Sequence, residues 1–128
     1  MGFSTTRAET KESGDAGEGR ALAHLLAHGL TLVQRNYRVA RGPNARGGEI
    51  DLIVRDHDGT LVFVEVRSRR HSSHGGAAAS VSATKRRSLV LAAQHFLSRQ
   101  RSLPPCRFDV VAIDGDQLEW MRGAFDAS

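Results

Sequence analysis

The sequence lacks several features that define membrane, secreted and metal-stapled proteins. Its 128 residues include one cysteine, Cys106, so neither an internal disulfide nor a Cys-pair zinc site can form. The longest strongly apolar run, residues 61–66, is much shorter than the roughly 20 residues of a membrane helix. Residues 1–19 contain no apolar signal-peptide core. These absences predict a chain without membrane segments that resides in the cytoplasm.

Carboxylates are missing from two long stretches of the chain. Residues 19–48 contain five arginines and no acid, and residues 66–107 contain eight arginines and one lysine without an acid. The acids between these stretches are Glu49, Asp51, Asp56, Asp58 and Glu65. With a net charge of +4, this distribution favours a polyanionic partner and a cation bound at the acidic segment. Charge alone leaves open that the arginines only solubilise the surface.

Hydrophobic periodicity predicts one α/β domain over residues 17–128, after a flexible polar tail at 1–16. Helices are predicted at 17–28 and 85–100, with Ser82 or Thr84 as N-cap of the second, and a mobile Ser/Gly/Ala loop at 71–84. Strands are predicted at 31–39, 48–55, 60–67, 107–113 and 118–121. The order αβββαββ indicates a mixed central sheet flanked by helices.

The acids lie on the two strongest strands, which a three-residue turn at 57–59 joins into a hairpin. Counting outward from this turn puts Asp51 opposite Glu65 and Glu49 opposite Arg67. Strict alternation assigns the first strand's side chains to opposite faces, with Glu49, Asp51 and Ile53 on one and Ile50, Leu52 and Val54 on the other.

Two opposed carboxylates repel each other unless a positive charge lies between them. A Mg²⁺ ion fits, because it typically takes one or two carboxylates together with water and phosphate oxygens. Alternatively, Asp51 and Glu65 lie on a solvated face and pair with arginines. Glu18 shares the apolar stripe of the first helix and should point inward, although an acid in a first turn can equally complement the helix dipole.

Six short segments together resemble the YraN family of bacterial proteins, which is associated with endonuclease activity. They are Gly17-Glu18-Gly19, Asn36-Tyr37-Arg38, GEIDLI from Gly48, LVFVEVR from Leu61, RFDVV from Arg107 and the final Gly123-Ala-Phe. The resemblance extends from about Gly17 to Phe125. It implies a restriction-endonuclease-like αβββαβ core, a PD-(D/E)xK site and a relationship to Holliday-junction resolvases.

The resemblance also implies catalytic roles for particular residues. Asp51 and Glu65 would bind Mg²⁺ or Mn²⁺, Glu18 would match the helix glutamate of the resolvase branch, and Glu49 would be an accessory acid. Arg67 stands where the family usually has lysine. A guanidinium stays charged and can orient or neutralise but cannot transfer a proton, so a nuclease fold that has lost catalysis remains an alternative.

Basic residues at two positions are expected to contact DNA. Arg69 and Arg70 leave the hairpin, while Lys85, Arg86 and Arg87 begin the second helix, where a phosphate would offset their repulsion by the helix dipole. Phosphate contacts predict binding without sequence specificity.

The expected function is therefore a metal-dependent DNA endonuclease, with branched or structured DNA suggested by the resolvase analogy. A homodimer would make cutting of both strands easier. The competing hypotheses are an inactive DNA-binding module and a protein-interaction domain whose carboxylates pair internally with arginine.

Overall fold

The structure is a computed structural model that describes residues 16–40, 47–69 and 81–127. Helix α1 covers residues 16–27, and α2 is Ala83–Ser98. The strands are β1 (Thr31–Val39), β2 (Gly48–Arg55), β3 (Leu61–Arg69), β4 (Cys106–Asp114) and β5 (Gln117–Phe125). This chain order confirms the predicted αβββαββ arrangement. Among the described residues, neither helix combines the length and apolar character needed to cross a bilayer.

The five strands form one sheet in the order β1-β2-β3-β4-β5. All neighbouring pairs are antiparallel except β3 and β4, which run parallel. Parallel neighbours need a crossover connection, and α2 lies in the segment that joins them. The predicted mixed sheet is confirmed, and its arrangement is consistent with a restriction-endonuclease-like core.

Each face of the sheet is covered by one helix, which gives three layers. On one face α1 contributes Ala21 and Leu25 to a buried cluster. On the other face α2 contributes its own apolar stripe, Leu89, Ala92, Ala93 and Phe96. The central strands β2 and β3 are therefore buried on both sides, which explains their nearly continuous apolar sequences.

The β2–β3 hairpin closes as predicted. The Asp56 amide donates to the Thr60 carbonyl at 2.8 Å, and the Gly59 amide donates to the Asp56 carbonyl at 2.9 Å. The pairing then proceeds in register to Leu52 opposite Val64. Continuing this register by one residue places Asp51 opposite Glu65.

The predicted element ends agree with the structure to within two residues except at the end of β5. The predicted N-cap Ser82 is confirmed: its side chain accepts from the Lys85 amide at 3.1 Å, and α2 begins directly after it at Ala83. Strand β5 extends to Phe125 rather than ending at 121, with a register irregularity between Phe108 and Val110 on its partner β4. The predicted tail lies outside the described residues except at residue 16, which is already helical.

Strict alternation also fails on β2. Ile50 and Ile53 were assigned to opposite faces but belong to the same buried cluster, on the α2 side. The register of β1 and β2 places Asn36 opposite Asp51, and Asn36 has a positive φ of 52°. Asparagine tolerates this left-handed conformation better than most residues, and its position opposite Asp51 coincides with the change of faces along β2, while the register shift of the β1–β2 ladder lies between Leu32 and Gln34.

Candidate metal site and nucleic-acid interface

Asp51 and Glu65 lie where the regular pairing of β2 and β3 ends. Beyond Leu52 and Val64, the Val66 amide donates to Oδ2 of Asp51 at 2.8 Å. The Asp51 side chain thus accepts a hydrogen bond that a backbone carbonyl would accept in a regular ladder. Both carboxylates are buried. They lie on β2 and β3, the two strands that the sequence predicted to bring them together.

Glu65 is in an unfavourable environment for a charged carboxylate. Its side chain is only 4% exposed, and its Oε1 atom is buried with no hydrogen-bond partner among the described residues. Burial, followed by a hydrogen bond to Asp51 and repulsion from its carboxylate, raises the pKa of Glu65 to about 8, with Lys85 and Arg67 offsetting part of the rise. The two acids are therefore not both ionised at neutral pH unless a further positive charge is present.

A lysine from α2 reaches this pair of acids. Lys85 Nζ lies 3.6 Å from Glu65 Oε2, and the lysine side chain is 34% exposed. Arg67 follows Glu65 by two residues on β3 and is partly buried. Glu65 is therefore influenced by two cations from different elements. The sequence assigned Lys85 to DNA binding, and only its position at the start of the second helix indicated that it could also reach the two acids.

The close approach of α2 to β2 determines where Lys85 lies. A Cβ added to Gly48 would lie 2.6 Å from the Ser88 carbonyl oxygen and 2.7 Å from the Ala92 amide nitrogen. The Glu49 amide also donates to the Ser88 hydroxyl at 3.2 Å. The helix is therefore in contact with the start of β2, and the lysine one turn before Ser88 can extend toward Glu65. Gly48, the first residue of GEIDLI, was the sequence feature that could have indicated this close approach.

The two other predicted acids have separate partners. Glu18 Oε1 lies 3.8 Å from Arg35, with the glutamate side chain 14% exposed, so it does point largely inward. Glu49 Oε2 lies 3.8 Å from Arg38 Nε, and this side chain is 39% exposed. The expected position of Glu49 opposite Arg67 lies beyond Leu52 and Val64, the last pair of the β2–β3 ladder, and on the other side of β2 Glu49 pairs with Arg38 of β1.

A metal site here would rest on a pair of acids. Across residues 16–40, 47–69 and 81–127, no three His, Cys, Asp or Glu side chains are grouped closely enough to hold an ion. A pair suits a hard cation that keeps most of its water, such as Mg²⁺, and does not suit a fully protein-ligated cage. Within this pair, Oε1 of Glu65 is buried and has no hydrogen-bond partner among the described residues.

The first five residues of α2 include Lys85, Arg86 and Arg87, and its first turn carries no acid. Arg86 and Arg87 are exposed, and the Arg86 guanidinium carbon lies 5.5 Å from the centre of the Phe125 ring. Positive side chains at the positive end of a helix dipole favour an anion at this position. Arg70 and the side chain of Arg69 lie outside the described residues.

Comparison with known proteins identifies the family. The model of "Uncharacterised protein family UPF0102" matches residues 17–113. A UPF0102 protein from Methylibium petroleiphilum is 66% identical over 93% of this chain and 98% of its own length. Relatives from an Acidovorax species and from Paracidovorax citrulli are 61% and 56% identical, covering 93% and 98% of this chain and 88% and 91% of their own lengths. The chain therefore belongs to family UPF0102, the YraN family that its motifs resemble.

Proposed function

We propose that this protein is a Mg²⁺- or Mn²⁺-dependent DNA endonuclease that hydrolyses phosphodiester bonds, with Asp51 and Glu65 as metal ligands. The observation that carries the proposal is the buried, unpartnered Oε1 of Glu65 beside the Asp51 carboxylate. An unpaired buried carboxylate oxygen destabilises a fold, and a bound cation would remove this penalty.

The donor set supports a divalent hard ion. Two carboxylates can hold Mg²⁺ while water and phosphate oxygens complete its coordination. When bound, such an ion would polarise a phosphate oxygen and make a bound water more acidic. Asp51 is oriented for this role by the Val66 amide, which fixes one oxygen at 2.8 Å. Glu18 and Glu49, held by arginines, would act as accessory acids at most.

Two cations would stabilise negative charge as it develops on the phosphate. Arg67 occupies the motif position of lysine and can neutralise charge but not transfer a proton. Lys85, on α2, places its ammonium group 3.6 Å from Glu65. Together they would supply the electrostatic stabilisation that phosphoryl chemistry requires.

The DNA backbone would lie along the first turn of α2. Lys85, Arg86 and Arg87 would neutralise phosphates there, and Arg69 and Arg70 would extend the contact. Contacts of this type carry no sequence information, so we expect binding to many sequences with strong salt dependence.

Arg67 favours a second candidate, a DNA-binding module of the same fold without catalysis. If the chemistry requires a lysine at this motif position as a proton carrier, guanidinium cannot replace it. Such a protein would keep the basic surface and bind DNA in a salt-sensitive manner, but it would not cut it.

Nicking of supercoiled plasmid in Mg²⁺ or Mn²⁺ tests the proposal. Asp51→Asn removes a ligand charge with little change in size, and Asp58→Asn, in the exposed turn of the hairpin, is the matched control. We expect wild type and Asp58→Asn to nick and Asp51→Asn to be inactive, with DNA binding in EDTA unchanged. Equal nicking by Asp51→Asn would contradict the proposal. Binding without nicking by all three proteins would support the inactive module.

A further inference from the structure

Two adjoining hollows along α2 together form what we call the groove. One hollow of about 390 Å³ is lined by residues that include Lys85, Arg87 and Leu91. A second, of about 480 Å³, shares Arg87 and Leu91 with the first and reaches Phe125 at the end of β5. Lys85, which lines the first hollow, also lies 3.6 Å from Glu65, so one side chain links the groove to the two buried acids.

Phe125 presents a supported aromatic surface at the far end of this groove. Its ring stacks on Phe108 with centroids 4.9 Å apart and planes 16° from parallel. The Arg86 guanidinium lies over the Phe125 ring at 5.5 Å. An aromatic ring backed by a buried ring and accompanied by a planar arginine is a typical platform for stacking nucleic-acid bases.

The charge and composition of the groove favour a nucleic-acid strand. Among the described residues that line it, three are cations, Lys85, Arg86 and Arg87, and one is a carboxylate, Asp126. Val90 and Leu91 form the apolar floor between them. Alternating positive and apolar surface matches a strand that offers both phosphates and bases.

We infer that this groove binds unpaired nucleotides of the DNA strand whose phosphodiester bond lies at Asp51 and Glu65, with one base stacked on Phe125. This inference rests on the proposed function and narrows its substrate class. Bases inside a duplex are already stacked and reach a protein ring only when they are flipped out, at a cost of a few kcal/mol, so the groove favours a substrate with a single-stranded segment next to the cut. Residues 85–94 span about 13 Å of helix, which matches about four nucleotides at the 3.4 Å spacing of a stacked strand.

Two arginines provide a matched test. Arg86 lies over Phe125 on the α2 side of the sheet, and Arg122 lies 4.0 Å over the ring of Trp120, which packs on the α1 side. Arg86→Gln and Arg122→Gln lose the same charge from an exposed arginine–aromatic pair. Because Arg86 also contacts phosphates in the proposed function, the two variants are compared by the ratio of tailed to blunt binding, which a general loss of electrostatic attraction leaves unchanged.

The experiment measures binding in EDTA, where no cleavage occurs, of a blunt duplex and the same duplex with a five-nucleotide unpaired end. We expect wild type and Arg122→Gln to bind the tailed DNA about 5- to 150-fold more tightly than the blunt DNA. Arg86→Gln and Phe125→Leu should lose most of this preference. Thermal unfolding checks that Phe125→Leu is folded. If Phe125→Leu is unfolded, Arg86→Gln still tests the groove, because the Arg86 side chain is exposed and its replacement should not disturb the fold.

The outcomes separate this inference from the proposed function. Equal binding of both DNAs by wild type, or equal loss of preference in Arg86→Gln and Arg122→Gln, overturns the groove while leaving metal-dependent nicking intact. A tail preference lost in Arg86→Gln, in a protein that never nicks plasmid, supports the groove and contradicts the nuclease. Absence of DNA binding at low salt contradicts both, and would leave the groove as a surface for a protein partner.

Discussion

Replacing Glu65 with glutamine should change how the stability of the metal-free protein depends on pH. Burial beside Asp51 raises the pKa of Glu65 from its ordinary value of 4.5 to about 8. Between these pH values the folded protein binds a proton that the unfolded chain has released, so the free energy of unfolding falls as the pH rises. Above pH 8 the full penalty would be on the order of 3–5 kcal/mol.

Glutamine resembles the protonated form of Glu65 and stays neutral throughout. The wild type and Glu65→Gln should therefore have similar stability near pH 5. At pH 8.5 the variant should be more stable by a few kcal/mol, because it carries no buried charge to desolvate. An ordinary substitution of a buried residue destabilises the fold at every pH, so this direction is diagnostic.

Urea unfolding in EDTA, followed by the fluorescence of Trp120 between pH 5 and 8.5, measures this difference. Glu49→Gln is the matched control, since it removes the same charge from a side chain that is 39% exposed and faces Arg38. That variant should follow the wild-type pH profile. Parallel profiles for wild type and Glu65→Gln would refute the conclusion that Glu65 is an uncompensated buried acid.

Three further predictions address the surroundings of the site. Lys85→Ala should slow plasmid nicking about 100-fold at saturating DNA if its ammonium stabilises developing charge; an unchanged rate would contradict this role. Asp109→Asn should lower the free energy of unfolding by roughly 3–5 kcal/mol, because this fully buried carboxylate accepts from three donors, including Trp120 Nε1 at 2.9 Å; a loss below about 1 kcal/mol in urea unfolding would contradict it. Gly48→Ala should lower the free energy of unfolding by roughly 1–3 kcal/mol in the same assay, because the added Cβ would overlap the backbone of α2. Gly19→Ala is the control and should be stabilising, because Gly19 lies in helix α1 with open space around it. Similar effects of the two substitutions would show that the close approach of α2 to Gly48 is unimportant.

The pairing of Asp51 with Glu65 could be predicted because it depends on local sequence. GEIDLIVR and TLVFVEVR are strong strand signals separated by a short turn, and a hairpin register follows from the turn by counting. The order of elements followed in the same way from hydrophobic periodicity. The PD-(D/E)xK assignment of these acids came from the family resemblance.

Other features of the site depend on contacts that local patterns do not encode. The ion pair between Lys85 and Glu65 joins residues 20 positions apart through the packing of α2 on β2. The change of faces along β2 coincides with one left-handed residue, Asn36, on the neighbouring strand. Glu49 faces Arg38 because the β1–β2 ladder continues past the point where the β2–β3 ladder ends.

Calorimetric titration of Mg²⁺ or Mn²⁺ into the wild type, Asp51→Asn and Glu65→Gln tests the metal site most directly. We expect one metal-binding site in the wild type and its loss in both variants. At pH 7 binding should release about one proton, since the raised pKa keeps Glu65 protonated until the ion displaces the proton. Equal affinity in wild type and Glu65→Gln would contradict the assignment of this buried pair as metal ligands.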